Sequence, residues 1–396
     1  MPNLILFDDQ YIRTDLLPLT FTRPVSGIRI GIQTLVEKWE GVMGQNAFYL
    51  TLSYLRAKFP YTPGPDNWYV NGAVCPTEAL REAILALESG AGLLTPDGHV
   101  LAVRTEDALR VAPTVTDKYS FSVFSEPLTL ILNLWDIFEQ NGSQIRADFA
   151  RITAGRTSAP ITDPFTRCYA PENIFVEEGA NIRAAILNAE SGPIYIGRNA
   201  TINEGSVVLG PFSLGHDSTI SWNSKMRNNT TIGPYCKVGG EVGNSVFFGY
   251  SNKSHDGFLG NSVIGEWCNL GANVNNSNLK NDYSNVKLHS YATGHLEDTG
   301  RIFCGLTMGD FTKAGISTMF NTGTVVGVSA NIFGAGYQPK FVPSFSWGGT
   351  DSGFTPYRIE KAVQVAREAF VRRNKAFDKV EEGILRAVFF SVVSEF

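Results

Sequence analysis

Of the five histidines, His255 stands apart, because it sits in Lys253-Ser254-His255-Asp256-Gly257, beside a lysine and inside a glycine-rich break of an otherwise regular aliphatic pattern. An imidazole titrating near neutrality can accept a proton from a nucleophile, so this position suits a general base. The plainer alternative is a surface histidine with no chemistry. Lys225 and Arg227, a short way upstream, could hold an anion or could simply be solvated. The five cysteines (Cys75, Cys168, Cys236, Cys268, Cys304) are odd in number, widely spread and never in a CxxC pair. They predict neither a disulfide framework nor a zinc knuckle, but small buried hydrophobes.

The 396 residues are enough for two or three domains, and a 43% hydrophobic content can fill their cores. Charged residues are only 18% against a usual ~25%, while 39 glycines are present. Excess glycine without excess charge predicts turns, not disorder. A net charge of −5 leaves no general basic field, so no nucleic acid partner is expected. The apolar run after Pro2 stops at Asp8-Asp9, too short for a secretion signal or a membrane span, which predicts a cytoplasmic protein with no membrane partner.

The elements that must carry these residues follow a clock of six. Ile196, Ile202, Val208, Leu214, Ile220, Met226, Ile232 and Val238 are evenly spaced, as are Ile302, Met308, Ala314, Phe320, Val326 and Ile332. Shorter stretches run at Val176 and Ile182, and at Phe258, Ile264 and Leu270. A helix would carry a step of six to its far side. A short strand plus a corner does not, and three such hexads close an 18-residue coil, giving about six coils. The corners need φ > 0, and residues 196–281 hold 13 Gly and 14 Asn against 11 charged side chains. This predicts a parallel β-helix, left-handed in this class, over 171–340. Between Val238 and Ile264 the register slips by two, which predicts a bulge or loop around Gly239–Gly257. A longer break between Leu270 and Ile302 predicts a second projecting loop.

Residues 1–165 predict a different, α/β layer architecture. Asn3–Phe7 and Trp68–Val74 suit buried strands, and Pro96-Asp97-Gly98 suits a hairpin turn between Leu93-Leu94 and Val100–Val103. One helix is expected after Pro76-Thr77, and another through Leu128, Ile131, Leu132, Trp135 and Phe138, ended by Asn141-Gly142. Residues 356–393 predict a helical cap over the last coil or a clasp between copies.

At Ser254-His255-Asp256-Gly257-Phe258-Leu259-Gly260, followed by Ile264-Gly265 and Cys268-Asn269-Leu270-Gly271-Ala272, the chain resembles the bifunctional N-acetylglucosamine-1-phosphate uridylyltransferase / glucosamine-1-phosphate acetyltransferase family. That resemblance implies a Rossmann-like nucleotidyltransferase domain followed by a left-handed β-helix acyltransferase, in a homotrimer. It makes His255 the catalytic base, puts Asn269 and Asn278 with the sugar, and gives Lys225 and Arg227 as the sugar-phosphate anchor; Lys280 and Lys287 are secondary candidates for the same anion, and Lys253, beside His255, is a further candidate substrate contact. Ala272, Ser317 and Gly334 correspond to contacts of acetyl-CoA. Phe258 and Leu279 stand where the family has tyrosines. In the first domain, Arg13 and Arg23 stand in for the cations of a missing glycine-rich loop, and Asn71 replaces the aspartate that binds Mg2+, so the metal ligands stay unassigned. The implied substrates are a sugar phosphate, a nucleoside triphosphate and an acyl-CoA. Two alternatives stay open: nucleotidyl transfer alone with the β-helix as a platform for assembly or regulation, and a non-catalytic scaffold that senses sugar nucleotides.

Overall fold

The computed structural model describes residues 1–392; residue 393, the last of the expected C-terminal helical segment, lies outside them. Two compact units are present, one of residues 1–28 and 33–133, the other of residues 29–32 and 134 onward.

The first unit is built on a six-stranded mixed sheet in the order Ala47–Leu50, Asn3–Phe7, Asn67–Asn71, Val100–Thr105, Ala91–Leu94, Ser120–Val123. The first three strands are parallel, with Leu4 opposite both Ala47 and Trp68. Leu4, Ile5, Leu6 and Phe7 are almost wholly buried, as a strand covered on both faces requires. The Asp97-Gly98 hairpin forms as expected, with Gly98 at φ 87°. Three helices belong here: α1 (Gln10–Asp15), α2 (Leu35–Met43) and α3 (Glu78–Leu85). Asp9 caps α1, Thr34 and Glu37 form a capping box on α2, and Thr77 caps α3.

The helix expected through Leu128 is a correction. Thr129–Leu130 is a strand pairing with Val74–Cys75, and Asn141-Gly142 opens a helix instead of ending one. The helices are α4 (Leu134–Glu139) and α5 (Asn141–Thr153), both in the second unit. Tertiary contacts override the local turn preference: the Asn141 side chain accepts from Gly31 N–H and donates to Asn229 O. Gly142 lies so close to Asn229 that a Cβ would sit 2.1 Å from its Oδ1.

The second unit is the three-sided parallel β-helix. Its first face has six strands, from Arg167–Tyr169 to Phe258–Gly260. The second face has nine, from Ile174–Val176 to Phe341–Val342, and the third runs from Asn181–Ile182 to Ser346–Gly349. One strand per coil on the second face makes nine coils, not the expected six. The inward aliphatics form a single core cluster in which most side chains are fully buried. No two- or three-residue strand is stable alone, so each coil depends on its neighbours.

The slip after Val238 is also a correction: the prism loses residues there instead of bulging. Met226 pairs with Val242, Ile232 with Phe247 and Val238 with Lys253, so the inward series continues as Val242, Phe247, Lys253 and Leu259 through shortened corners. Leu259, not Phe258, takes the inward position, and Ile302 is 45% exposed outside the prism. The projecting segment begins after Asn275–Asn276, contains the hairpin Lys287–His289 with Leu296–Asp298, and returns at Leu306.

Asparagines 199, 223, 229, 244, 261 and 273 take positive φ at the corners, as expected. Five aromatics do so as well: Tyr235, Tyr250, Trp267, Phe311 and Phe345, all at the edge between the second and third faces. Tyr235, Tyr250 and Trp267 stack along the axis at 5.0 and 4.3 Å. Two helices follow the solenoid, α6 (Ile359–Val371) and α7 (Lys379–Val392). Phe370 of α6 stacks on Trp267 at 3.9 Å, and Phe389 of α7 meets Phe345 edge-on, so both pack along the aromatic edge.

Candidate functional site

His255 occupies the corner between the third face (Asn252–Lys253) and the first (Phe258–Gly260), and it is exposed. Gly257 makes that corner at φ 129°, where a Cβ would lie 2.2 Å from Val274 O. Beneath it, Lys253 fills the inward slot that Val238 fills one coil earlier, and it is 1% exposed. Its ammonium donates to His255 O at 3.0 Å and to Gly239 O at 3.3 Å. A lysine inside a hydrocarbon prism therefore ties the His255 corner to the shortened Gly239-Gly240 corner above. Burial pulls the Lys253 amine down to about 8, partly offset by the Asp256 carboxylate.

The sign of the resulting pH effect is definite. With its folded pKa below the unfolded value, Lys253 weakens folding fully below about pH 8, and the penalty fades as pH rises toward 10.5. Wild type is expected to gain about 2–3 kcal/mol on Lys253→Met between pH 7.5 and 10, read as a shift of the melting-temperature difference in favour of the wild type. A difference independent of pH would contradict the buried ammonium.

The edge that carries His255 carries other sequence-derived candidates. Asn269 pairs with Asn252, and Asn273 N–H donates to Asp256 O at 2.9 Å, which sets Ala272 one coil below His255. Ser317 N–H donates to Ala272 O at 2.8 Å, and Gly334, at φ 102°, takes the corner of the next coil. His255, Ala272, Ser317 and Gly334 thus line one edge at about 5 Å per coil. Two exposed apolar side chains, Trp222 (67%) and Ile316 (76%), mark the same edge.

Other candidates lie elsewhere. Lys225 and Arg227 are on the first face, and Arg227 makes an exposed ion pair with Glu241 at 3.4 Å. Asn278 donates to Asn261 Oδ1 at 2.8 Å, at the far end of the first face from His255. Lys280 reaches Asp282 at 3.6 Å, and Lys287 begins the projecting hairpin. Asn269 faces a groove of about 870 Å³ between the third face and α6, whose basic residues the sequence reading missed. They come from two coils (Lys237 and Lys313) and from α6 and the residues that follow it (Lys361, Arg372 and Arg373), and no local motif joins them.

In the first unit, Arg13 is turned inward: it pairs with Asp8 at 2.7 Å and donates to Arg23 O at 3.1 Å and to Thr20 O. Arg23 is also buried. Asn71 donates to Val100 O and accepts from Ala73 N–H, each at 3.0 Å, so its amide serves the strand end. Mg2+ does not fit these groups. Asp8, the carboxylate at the end of the first strand, is already held by Arg13, Thr51 and Val25 N–H, and no group of three His, Cys, Asp or Glu among the described residues could hold a metal. Four of the five cysteines are buried and all are free; burial pushes the thiols of Cys236, Cys268 and Cys304 up to about 12. No helix of the described residues is long and apolar enough to cross a membrane.

Among solved structures, the UDP-N-acetylglucosamine acyltransferase from Campylobacter jejuni is similar at 13% identity and TM-score 0.33, over 56% of this chain and 93% of that one. The polySia specific acetyltransferase NeuO is similar at 12% and 0.28, over 53% and 96%. The UDP-N-acetylglucosamine acyltransferase of Arabidopsis is similar at 12% and 0.25, over 60% and 93%. No curated protein matches the chain in sequence. Residues 4–157 match the family model described as Sugar nucleotidyl transferase. The chain is therefore a transferase with a sugar nucleotidyl transferase-like N-terminal segment, joined to a parallel β-helix.

Proposed function

We propose that the β-helix transfers an acetyl group from acetyl-CoA to an amino sugar phosphate, with His255 as general base and the N-terminal segment serving the same sugar-nucleotide synthesis as a nucleotidyltransferase. The observation that carries the reading is the shared edge: an exposed imidazole, backed by a buried lysine, in line with Ala272, Ser317 and Gly334 in the coils below. His255 takes a proton from the sugar ammonium, and the freed amine attacks the thioester carbonyl carbon. The attacking nitrogen gives up its second proton to solvent as the C–S bond breaks, and the CoA sulfur leaves with the first proton, returned from the imidazolium. Acyl-CoA lies along the outside of the coils by contacts at the three corner residues, while Asn269, Lys225 and Arg227 hold the acceptor.

The assembly proposed is a homotrimer. Trp222 and Ile316, exposed on the His255 edge, supply apolar surface for a neighbouring prism, and the cleft needs that second wall. Release of CoA thiol from acetyl-CoA, dependent on an added amino sugar phosphate, is the experiment that tests the reading.

A further inference from the structure

The groove between the third face and α6 concentrates positive charge in a protein whose net charge is −5. Five cations, Lys237, Lys313, Lys361, Arg372 and Arg373, line it against one acid, Glu368. Its two walls match in length. On the solenoid side Lys237, Asn252, Asn269 and Lys313 occupy four consecutive rungs of one column, about 14 Å from end to end. On the helix side Lys361 stands 11 positions before Arg372, the residue that caps α6, about 16 Å away along the helix.

The cations fall into two sets. At one end Arg373 is fixed by its hydrogen bond to Asn252 Oδ1 at 2.8 Å, while Lys237 and Arg372 are exposed and make no side-chain hydrogen bond or ion pair among the described residues. At the other, Lys313 is held by Trp267 O and Lys361 by Gln364 Oε1. The ring faces of Tyr250 and Trp267 are taken up by stacking on each other and on Phe370, so the groove offers charge and amide hydrogen bonds, not a stacking platform.

We infer that this groove is a binding site for a phosphorylated ligand, with a diphosphate seated between Lys237, Arg372 and Arg373. Two guanidinium forks and an ammonium match the several oxygens of a pyrophosphate, and the two groups without partners lose no existing bond when it binds. The site goes beyond transfer at His255. Binding is read directly, so its failure leaves the transfer reading intact, and a failure of turnover leaves the groove intact.

The test is calorimetric titration of inorganic pyrophosphate into the full chain at low salt. One site per chain is expected, weakened about tenfold or more by Lys237→Glu and by Arg372→Glu and weakened further by added salt. Arg198→Glu, the same charge change at an exposed solenoid position outside the groove, is expected to leave the affinity unchanged. Separate titrations with uridine diphosphate and with glucosamine 1-phosphate distinguish the source of the phosphate: tighter binding of either than of the bare anion supports the site and names its carrier. No binding of any of the three, or binding that both groove variants leave unchanged, overturns the proposal.

Discussion

His255→Ala is expected to lower acetyl transfer by about 10²–10⁴-fold, the range for removal of a general base, while leaving the melting temperature unchanged. The two halves of that expectation come from separate facts. The imidazole is exposed and has no hydrogen-bond or ion-pair partner among the described residues, so its loss breaks no such contact. The corner beneath is fixed by groups that the substitution keeps: the Lys253 ammonium grips the backbone carbonyl of residue 255, and Gly257 completes the turn. Initial rates with saturating acetyl-CoA, alongside a thermal melt of the same samples, check both. An unchanged rate in a folded variant would remove His255 from the mechanism.

Asp8→Ala is expected to destabilise the first unit by about 3–5 kcal/mol. The substitution strands a buried guanidinium: the Asp8 and Arg13 side chains are 5% and 7% exposed, and their contact is 2.7 Å. It also takes the acceptor from Val25 N–H at 2.8 Å and from the Thr51 hydroxyl. Burial raises the Asp8 pKa and the Arg13 charge opposes that rise, as fits a pair whose interaction offsets desolvation. This prediction separates two roles for Arg13. A cation reserved for a triphosphate tolerates loss of its resting partner; a structural ion pair does not. A melting temperature within a degree of wild type would contradict the structural role.

The fold was largely legible because its signal is periodic. Ile196 to Val238 can keep a six-residue step only on short inward-facing strands, and the surrounding Gly and Asn provide corners. Legibility failed where that period breaks. The Gly239-Gly240 corner is shortened, and a lysine stands in an aliphatic slot at 253, so inward positions from Val242 to Leu259 were hidden and the coils undercounted. The aromatic edge was invisible because Tyr235, Tyr250 and Trp267 are poor residues for positive φ; stacking between coils holds them there, and no local propensity encodes it. Asn141-Gly142 misled for the same reason, since its contacts with Gly31 and Asn229 are distant in sequence.

His255, Ala272, Ser317 and Gly334 were named by the family resemblance, and in the structure they fall along one edge of the coils. The groove was not legible, since its Lys237, Lys313 and Arg372 meet only once the coils stack and α6 packs beside them. Nor was the inward turn of Arg13, which depends on Asp8, Thr20 and Arg23 converging around one guanidinium.

Acetyl transfer on the His255 edge is tested by the CoA thiol released from acetyl-CoA by the full chain across a panel of amino sugar phosphates. Saturable release is expected with at least one amino sugar phosphate, none with the matching sugar that lacks the amine, and loss in His255→Ala. Folded protein that releases no thiol with any member of the panel, or equal release without an amine acceptor, would contradict it.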